Sequence, residues 1–145
     1  MKLTIEPASP ETFSEIGAWR YQPPYDFYDG DQDPVLNPER FFGAVGPDGT
    51  LVGFYYVEDK GEAVELGLGL RPDLTGRGLG DEFFRSGVDF VRSRHPGRPV
   101  VLNVAAFNER AITVYERAGF RETGRHVRSF DRWGDVEFVE MEEGR

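Results

Sequence analysis

Residues 68–84 read LGLRPDLTGRGLGDEFF, an apolar segment that runs into Gly76, Gly78 and Gly80 and then into a helical pattern. The start of a helix presents unpaired backbone N–H groups and the positive end of the helix dipole, so it binds phosphate readily. Glycines let a phosphate approach that backbone closely, and Arg77 would add a charge-assisted contact. The stretch therefore predicts a strand, a phosphate-binding turn and a helix.

Two well-known phosphate loops do not match this stretch. The nucleoside-triphosphate loop needs a lysine directly after its last glycine, and none follows here. The dinucleotide fingerprint needs G-x-G-x-x-G and an acidic residue about 20 positions later, but the spacing is G-x-G-x-G and residues 98–103 carry no acid. A strand-to-helix turn with no ligand remains an alternative, although spaced glycines in a simple connector cost chain entropy without return.

Composition limits the classes of protein and partner. The 145 residues suffice for one domain, and the absence of cysteine excludes disulfides, cysteine-ligated zinc and an acyl-cysteine intermediate. Acidic residues exceed basic ones by 26 to 17, a net charge of −9, which disfavours nucleic acid as a partner and favours an amine. With neither a signal-peptide pattern nor a membrane-length apolar run, we expect a cytoplasmic protein with no membrane partner. We also expect a monomer or homodimer.

Hydrophobic periodicity and turn residues predict the order of strands and helices. Asp48-Gly49 marks a hairpin turn, and Ser9-Pro10 and Asn108 mark helix starts. The predicted strands are 2–6, 41–45, 51–59, 62–70, 99–107, 120–130 and 136–141, and the predicted helices are 10–19, 79–94 and 108–119. Strands first in a meander and then alternating with helices predict an α/β fold, a single domain over 1–145 with a mixed sheet and helices on both faces.

The helix that begins near Asn108 carries a second motif. Asn108, Ala111 and Tyr115 are spaced i, i+3 and i+7, so they share one helix face. Taken singly, Asn108 is explained as an N-cap and Tyr115 as a half-buried aromatic residue. The combination with the glycine loop is what needs another explanation.

With both motifs together, the chain resembles the GNAT superfamily of acetyl-CoA-dependent N-acetyltransferases. The loop pattern of that family, [QR]-x-x-G-x-[GA], is matched by residues 75–80, and its helix pattern, N-x-x-A-x-x-x-Y-x-x-x-G-F, is matched by residues 108–120. Thr75 departs from the family, which usually has Gln or Arg there, but this departure leaves the backbone cradle of the loop intact. The resemblance covers residues 40–141.

The resemblance implies a splayed sheet that holds acetyl-CoA, with residues 62–120 as the cofactor-binding core. The pantetheine arm would lie between the strand that ends at Leu70 and strand 99–104, with Asn108 hydrogen-bonded to it and the pyrophosphate on the N–H groups of 76–81. The implied cofactor-binding residues are Leu68, Leu70, Thr75, Gly76, Arg77, Gly78, Leu79, Gly80, Asp81, Asn103 and Asn108.

Acetyl transfer from a thioester to an amine sets the roles of two further residues. A lysine-like amine has a pKa near about 10.4, so a base or a water path must take its proton. By resemblance we nominate Glu65 as that base and Tyr115 as the acid that protonates the leaving thiolate. The alternative for Glu65 is that it is only a solvent-facing residue of its strand. A backbone N–H near Leu68 would stabilise the oxyanion. Without cysteine, direct transfer in a ternary complex is favoured.

Residues 19–33, WRYQPPYDFYDGDQD, combine five aromatic residues with four aspartates. In the family this region, here 19–38, covers the acceptor, and aspartates beside aromatic faces suit an ammonium group. The implied acceptor-binding residues are Trp19, Tyr21, Tyr25, Asp26, Tyr28 and Asp29. We expect preference for acceptors with two or more amines, unless the segment is only a solvated acidic loop. A calcium loop fails because Pro34 and Arg40 replace its glycine and glutamate, so no metal is expected.

The sequence thus predicts an acetyltransferase that uses acetyl-CoA and a small amine or peptide. The alternative is a CoA-binding or sensing module without catalysis. Tyr115 favours the enzyme, because cofactor binding alone would not need its phenol. The acceptor itself stays open among a polyamine, an aminoglycoside, an amino acid and a protein N-terminus.

Overall fold

A computed structural model describes residues 2–30 and 37–143. Its strands are β1 (Thr4–Pro7), β2 (Phe41–Val45), β3 (Leu51–Asp59), β4 (Val64–Leu70), β5 (Val100–Ala105), β6 (Phe120–Phe130) and β7 (Gly134–Glu143). Its α-helices are α1 (Pro10–Gly17), α2 (Gly80–Arg94) and α3 (Glu109–Arg117), and short 3-10 helices span Tyr25–Tyr28, Pro38–Arg40 and Pro72–Leu74. None of the helices in these two ranges is long and apolar enough to cross a membrane.

The strands form one sheet in the order β1-β2-β3-β4-β5-β7-β6. Every neighbouring pair is antiparallel except β4 and β5, which run parallel. These two strands pair only where Val64 faces Val100 and Glu65 faces Val101. Beyond Glu65, β4 continues to Leu70 without β5 beside it, so the sheet opens at its centre as the resemblance implied.

Helices cover both faces of this sheet, which confirms the predicted fold class. On one face the ring of Phe42 lies 4.9 Å from that of Phe90 in α2. On the other face the ring of Phe41 lies 5.5 Å from that of Phe13 in α1. Neighbouring residues of β2 therefore contact opposite layers, because successive side chains of a strand point to opposite faces.

The start of α2 is fixed against β3 by aromatic packing. Phe83 is buried and stacks on Tyr55 with ring centres 4.7 Å apart, and the Tyr55 hydroxyl donates a hydrogen bond of 2.6 Å to the Phe83 carbonyl oxygen. Gly87 leaves room for the Tyr55 ring, since an added Cβ would lie 2.6 Å from a ring carbon. These contacts hold the first turn of α2 beside the opening between β4 and β5.

Most predicted boundaries agree with the structure within two residues. The first strand starts two residues late at Thr4, β4 starts two residues late at Val64, and α1 ends at Gly17 instead of Trp19. Strand β7 is longer than predicted, from Gly134 to Glu143, because it pairs with β6 along its whole length. Cross-strand pairing of this kind is not visible in local sequence.

Candidate active site

The glycine loop leads from the 3-10 helix Pro72–Leu74 into α2. Gly76 and Gly78 have φ angles of 71° and 78°, a left-handed conformation that side chains with a Cβ rarely adopt. Leu79 is the N-cap residue of α2 and has no side-chain acceptor, so it leaves the first N–H groups of the helix uncapped. The backbone at this turn therefore presents donors to an anionic ligand.

A cavity of about 520 Å³ lies beside this loop, between α2, α3, the end of β4 and the segment 21–28. We call it the first cavity. Eight of the predicted cofactor-binding residues line it: Leu68, Leu70, Thr75, Gly76, Gly78, Gly80, Asp81 and Asn108. The lining also includes Tyr115, so the predicted acid and most of the predicted cofactor site share one cavity.

Three predicted cofactor-binding residues do not line the first cavity. Arg77 is exposed, and its guanidinium group lies 3.5 Å from the carbonyl oxygen of Asp73. Leu79 contributes the N-cap of α2 instead. Asn103 is exposed on β5, and its backbone lies opposite that of Glu140 on β7. Arg77 and Asn103 keep only a predicted role.

The open edge of β4 presents backbone groups to the first cavity. The Arg71 N–H donates to the Val52 carbonyl on β3. Because the backbone groups of successive residues in a strand point alternately to its two sides, the N–H and carbonyl groups of Leu68 and Leu70 point away from β3. There the Leu70 carbonyl accepts a hydrogen bond of 2.7 Å from the Tyr21 hydroxyl. Leu68 and Leu70 are the two residues predicted to contact pantetheine. The Leu70 carbonyl is already bonded to Tyr21, whereas Leu68 has no strand β5 beside it.

Asn108 connects α3 to the acceptor-side segment. Its Oδ1 accepts a hydrogen bond of 3.1 Å from the Ala111 N–H and so caps the helix, as predicted. Its Nδ2 donates to the Tyr28 hydroxyl oxygen at 3.2 Å. The proposed bond from Asn108 to pantetheine stays a prediction, since the amide nitrogen holds Tyr28 in this structure.

Tyr115 lies on the α3 side of the first cavity. Its side chain is 8% exposed, and its ring centre lies 4.5 Å from that of Phe84. Burial raises the pKa of Tyr115 above the usual tyrosine value, and the nearby phenol of Tyr28 raises it further. The phenol therefore keeps its proton at neutral pH and can act as a donor.

Two arginines of α3 border the first cavity and were missed by the sequence reasoning. Arg110 lies with its guanidinium carbon 4.3 Å from the ring centre of Tyr25. Arg117 lies 3.5 Å from the Asp81 carboxylate. Arg110, Thr113, Val114 and Arg117 recur at helical spacing and all line the cavity. This i, i+3, i+4, i+7 spacing is visible in the sequence, and it is the signal that could have indicated these residues beside the motif of Asn108, Ala111 and Tyr115.

A second cavity of about 740 Å³ lies behind a wall that it shares with the first. Tyr21, Tyr28 and Phe54 line both cavities and form this shared wall. The second cavity reaches from Trp19 to the hairpin that joins β6 and β7. The splayed sheet thus places two binding spaces on either side of one aromatic wall.

The predicted acceptor-binding residues divide between these cavities. Trp19 and Asp29 line only the second cavity, whereas Tyr25 lines only the first, beneath Arg110. Asp26 lines neither of the two. Asp31 and Asp33, which belonged to the predicted acidic cluster, lie outside the described residues.

Phe27 anchors the segment around Tyr28 to the rest of the fold. Its ring centre lies 5.6 Å from that of Phe107, 5.1 Å from that of Phe130 and 5.9 Å from that of Trp133. Edge-to-face contacts of this kind add to the burial of the rings. The shared wall is therefore supported from the turn between β5 and α3 and from the β6–β7 hairpin.

Glu65 lies outside both cavities, on the sheet face opposite α2. The Lys60 Nζ is 3.4 Å from its carboxylate and 3.0 Å from that of Glu58. A general base must reach the proton that it removes, directly or through one water. This position favours a water path, and the role of Glu65 stays a prediction. Within residues 2–30 and 37–143, no three His, Asp or Glu side chains are grouped to hold a metal ion.

Sequence comparison identifies relatives of the chain. Residues 37–121, more than half of the chain, match the profile of a family described as "Acetyltransferase (GNAT) domain". Mycothiol acetyltransferase of Clavibacter michiganensis is 35% identical over 98 residues, which cover 67% of this chain and 32% of that protein. Mycothiol acetyltransferase of Acidothermus cellulolyticus is 34% identical over 137 residues, 83% of this chain and 40% of that protein. The chain thus spans 32 to 40% of the length of these relatives.

Solved structures of similar fold cover nearly the whole chain. A spermidine/spermine N-acetyltransferase from Vibrio cholerae has a TM-score of 0.72 at 21% identity, with 97% of this chain and 91% of that chain covered. The ribosomal-protein-S18-alanine N-acetyltransferase from Escherichia coli has a TM-score of 0.66 at 20% identity, with coverages of 98% and 93%. At these identities the likeness establishes the fold.

Proposed function

Because this chain belongs to the GNAT acetyltransferase family, we propose that it transfers an acetyl group from acetyl-CoA to a primary amine of a small molecule or peptide. The observation that carries the proposal is the first cavity, which brings Tyr115, the open edge of β4 and the glycine loop together. The proposal keeps the cytoplasmic location expected from the sequence.

The residues around the first cavity fit acetyl-CoA. The backbone at Gly76 and Gly78 and the start of α2 would hold the pyrophosphate, with Arg110 and Arg117 as cations at the same end. The pantetheine arm would pass the open edge of β4 at Leu68. Acetyl-CoA supplies the acetyl group as a thioester, which is activated toward attack by an amine.

The chain's own groups would manage the protons and the charge. The amine would approach from the second cavity, past the shared wall, and lose its proton to water or to Glu65 through water. The Leu68 N–H would stabilise the oxyanion as the C–N bond forms, and Tyr115 Oη would donate its proton to the sulfur as the C–S bond breaks. Two cavities at one wall support direct transfer in a ternary complex.

A panel of primary amines tests this proposal. We expect thiol release from acetyl-CoA that depends on the added amine, followed with a thiol reagent, and an N-acetylated product by mass spectrometry. The control is the same protein without amine, which measures hydrolysis alone. Tight binding of acetyl-CoA with no amine-dependent thiol release across the panel would favour the alternative of a CoA-binding module.

Replacing Arg110 by glutamine should weaken acetyl-CoA binding and leave the fold intact. The guanidinium group stacks on Tyr25, and no carboxylate within residues 2–30 and 37–143 forms an ion pair with it. Charge-assisted contacts to phosphate are worth about 1.5–3 kcal/mol, so the Kd should rise about 10- to 100-fold in calorimetric titration.

Arg85→Gln is the matched control for Arg110. Arg85 is exposed on α2 and does not line the first cavity, so its loss removes the same charge from another place. An equal rise in Kd for both variants would mean that only long-range charge matters, and Arg110 would not be a phosphate ligand.

A further inference from the structure

The second cavity has walls that suit an apolar or aromatic ligand body. Trp19 and Phe138 line it, and each is 7% exposed, so their rings are fixed by packing. Phe54 and Phe130 add two more aromatic walls. Ligand sites with such walls bind apolar groups and use a few polar side chains for orientation.

Two guanidinium groups border this cavity from the β6–β7 hairpin. Arg128 lies 5.4 Å from the ring centres of both Phe130 and Phe138. Arg132 lies 4.8 Å from the ring centre of Trp133. A guanidinium group that stacks on a ring keeps its N–H groups free at the edge. Both arginines are thereby held at the cavity with donors to spare.

Among the described residues, Arg128 and Arg132 differ from nearby Arg125 in having no acidic partner. Arg125 of β6 forms ion pairs with Glu122 at 2.9 Å and with Glu137 at 2.7 Å. No carboxylate in the part of the chain that the structure describes forms an ion pair with Arg128 or Arg132. In a chain of net charge −9, two arginines at one cavity with no acidic partner among the described residues favour an anionic ligand group.

Two carboxylates, those of Asp29 and Asp131, also line the second cavity, and neither forms an ion pair with Arg128 or Arg132. Asp131 is exposed on the hairpin, and Asp29 lies at the other side, where its Oδ1 accepts a hydrogen bond of 2.7 Å from the Tyr21 N–H. Two aspartates and two arginines make the lining formally neutral. Because Tyr21 belongs to the shared wall, this hydrogen bond holds the Asp29 carboxylate beside that wall. This separation suits a ligand with one ammonium and one carboxylate.

We propose that the acceptor is a primary amine that carries a carboxylate and an apolar or aromatic body. Its carboxylate binds Arg128 and Arg132, its body lies against Trp19 and Phe138, and its amine points past Tyr28 toward the first cavity. The proposal rests on the proposed function and narrows its acceptor. It replaces the preference for several amines that the aspartates alone suggested, because the structure adds cations to the same cavity.

Matched acceptors test this assignment. L-phenylalanine and 2-phenylethylamine share the ring and the amine, but only the first carries a carboxylate. We expect a higher kcat/KM for phenylalanine in the wild-type protein. Arg128→Gln and Arg132→Gln should each lower kcat/KM for phenylalanine about tenfold or more and leave that for 2-phenylethylamine within about twofold. Arg125→Gln, which removes a charge from the same strand outside the cavity, should change neither.

A binding measurement separates this inference from the proposed function. N-acetyl-L-phenylalanine should bind more tightly than N-acetyl-2-phenylethylamine in calorimetric titration, and the difference should vanish in the Arg128→Gln/Arg132→Gln double variant. If that difference is found but no amine is acetylated, the acetyltransferase proposal fails and the ligand class stands. If both amines are acetylated equally well, or both arginine variants affect them alike, the carboxylate assignment is overturned. Equal binding of the two acetylated compounds, or none, also overturns it.

Discussion

Replacing Tyr115 by phenylalanine should lower kcat by about 10²–10⁴-fold, the usual contribution of a general acid. The substitution keeps the ring that packs on Phe84 and removes only the phenol. Because the phenol acts on the leaving thiolate, late in the reaction, its loss should appear in kcat and leave the Kd for acetyl-CoA nearly unchanged. Steady-state kinetics and calorimetric titration of the same protein measure the two quantities.

Tyr55→Phe is the control for this variant. Tyr55 is also a buried tyrosine, but its hydroxyl bonds to the Phe83 carbonyl and it does not line the first cavity. Loss of the Tyr55 hydroxyl should lower the thermal stability of the protein without lowering kcat. An unaltered kcat in Tyr115→Phe would show that water or another group protonates the thiolate.

The pH dependence of kcat gives a second test of Tyr115. A general acid works only while it is protonated, so activity that depends on it is lost as the pH rises through its pKa. Burial raises the pKa of Tyr115, and therefore kcat should show no loss attributable to this phenol up to about pH 10, where ordinary tyrosine ionises. The raised pKa makes the phenol of Tyr115 a weaker acid. The same apolar surroundings also raise the pKa of the CoA thiol, so the thiolate binds the proton more strongly and this offsets the weaker acidity of the phenol.

The parts of the site that the sequence predicted depend on local backbone chemistry. Left-handed φ angles at Gly76 and Gly78 and the N-cap at Asn108 follow from residue types that few other conformations favour. The hairpin turn at Asp48-Gly49 places β2 and β3 where they were expected. Each of these features is decided within a few residues, so a short stretch of sequence suffices.

The parts that the sequence did not predict depend on contacts between distant segments. Tyr25 and Trp19 lie six positions apart but line different cavities, because Phe27 anchors the segment between Phe107 and the β6–β7 hairpin. The ion pair of Glu65 with Lys60 depends on the β3–β4 register, which places the end of β3 beside Glu65. Which arginines remain without acidic partners likewise depends on the fold.

Replacing Gly78 by valine should raise the Kd for acetyl-CoA about tenfold or more. The φ of 78° at this position is unfavourable for a β-branched residue, and an added Cβ meets no atom of the described residues within 4 Å. The new side chain would therefore project into the open space in which we place the pyrophosphate. Loss of one charge-assisted backbone contact to phosphate corresponds to about 10- to 100-fold in Kd.

Gly97→Val separates this effect from backbone strain. Gly97 has a φ of 82° and equally open surroundings, but it lies in the turn after α2 and does not line the first cavity. Both variants carry the same kind of strain, about 1–3 kcal/mol, so both should unfold at a lower temperature. Only Gly78→Val should weaken acetyl-CoA binding in calorimetric titration. If the folded Gly78→Val protein binds as tightly as Gly97→Val, the pyrophosphate does not lie on this loop.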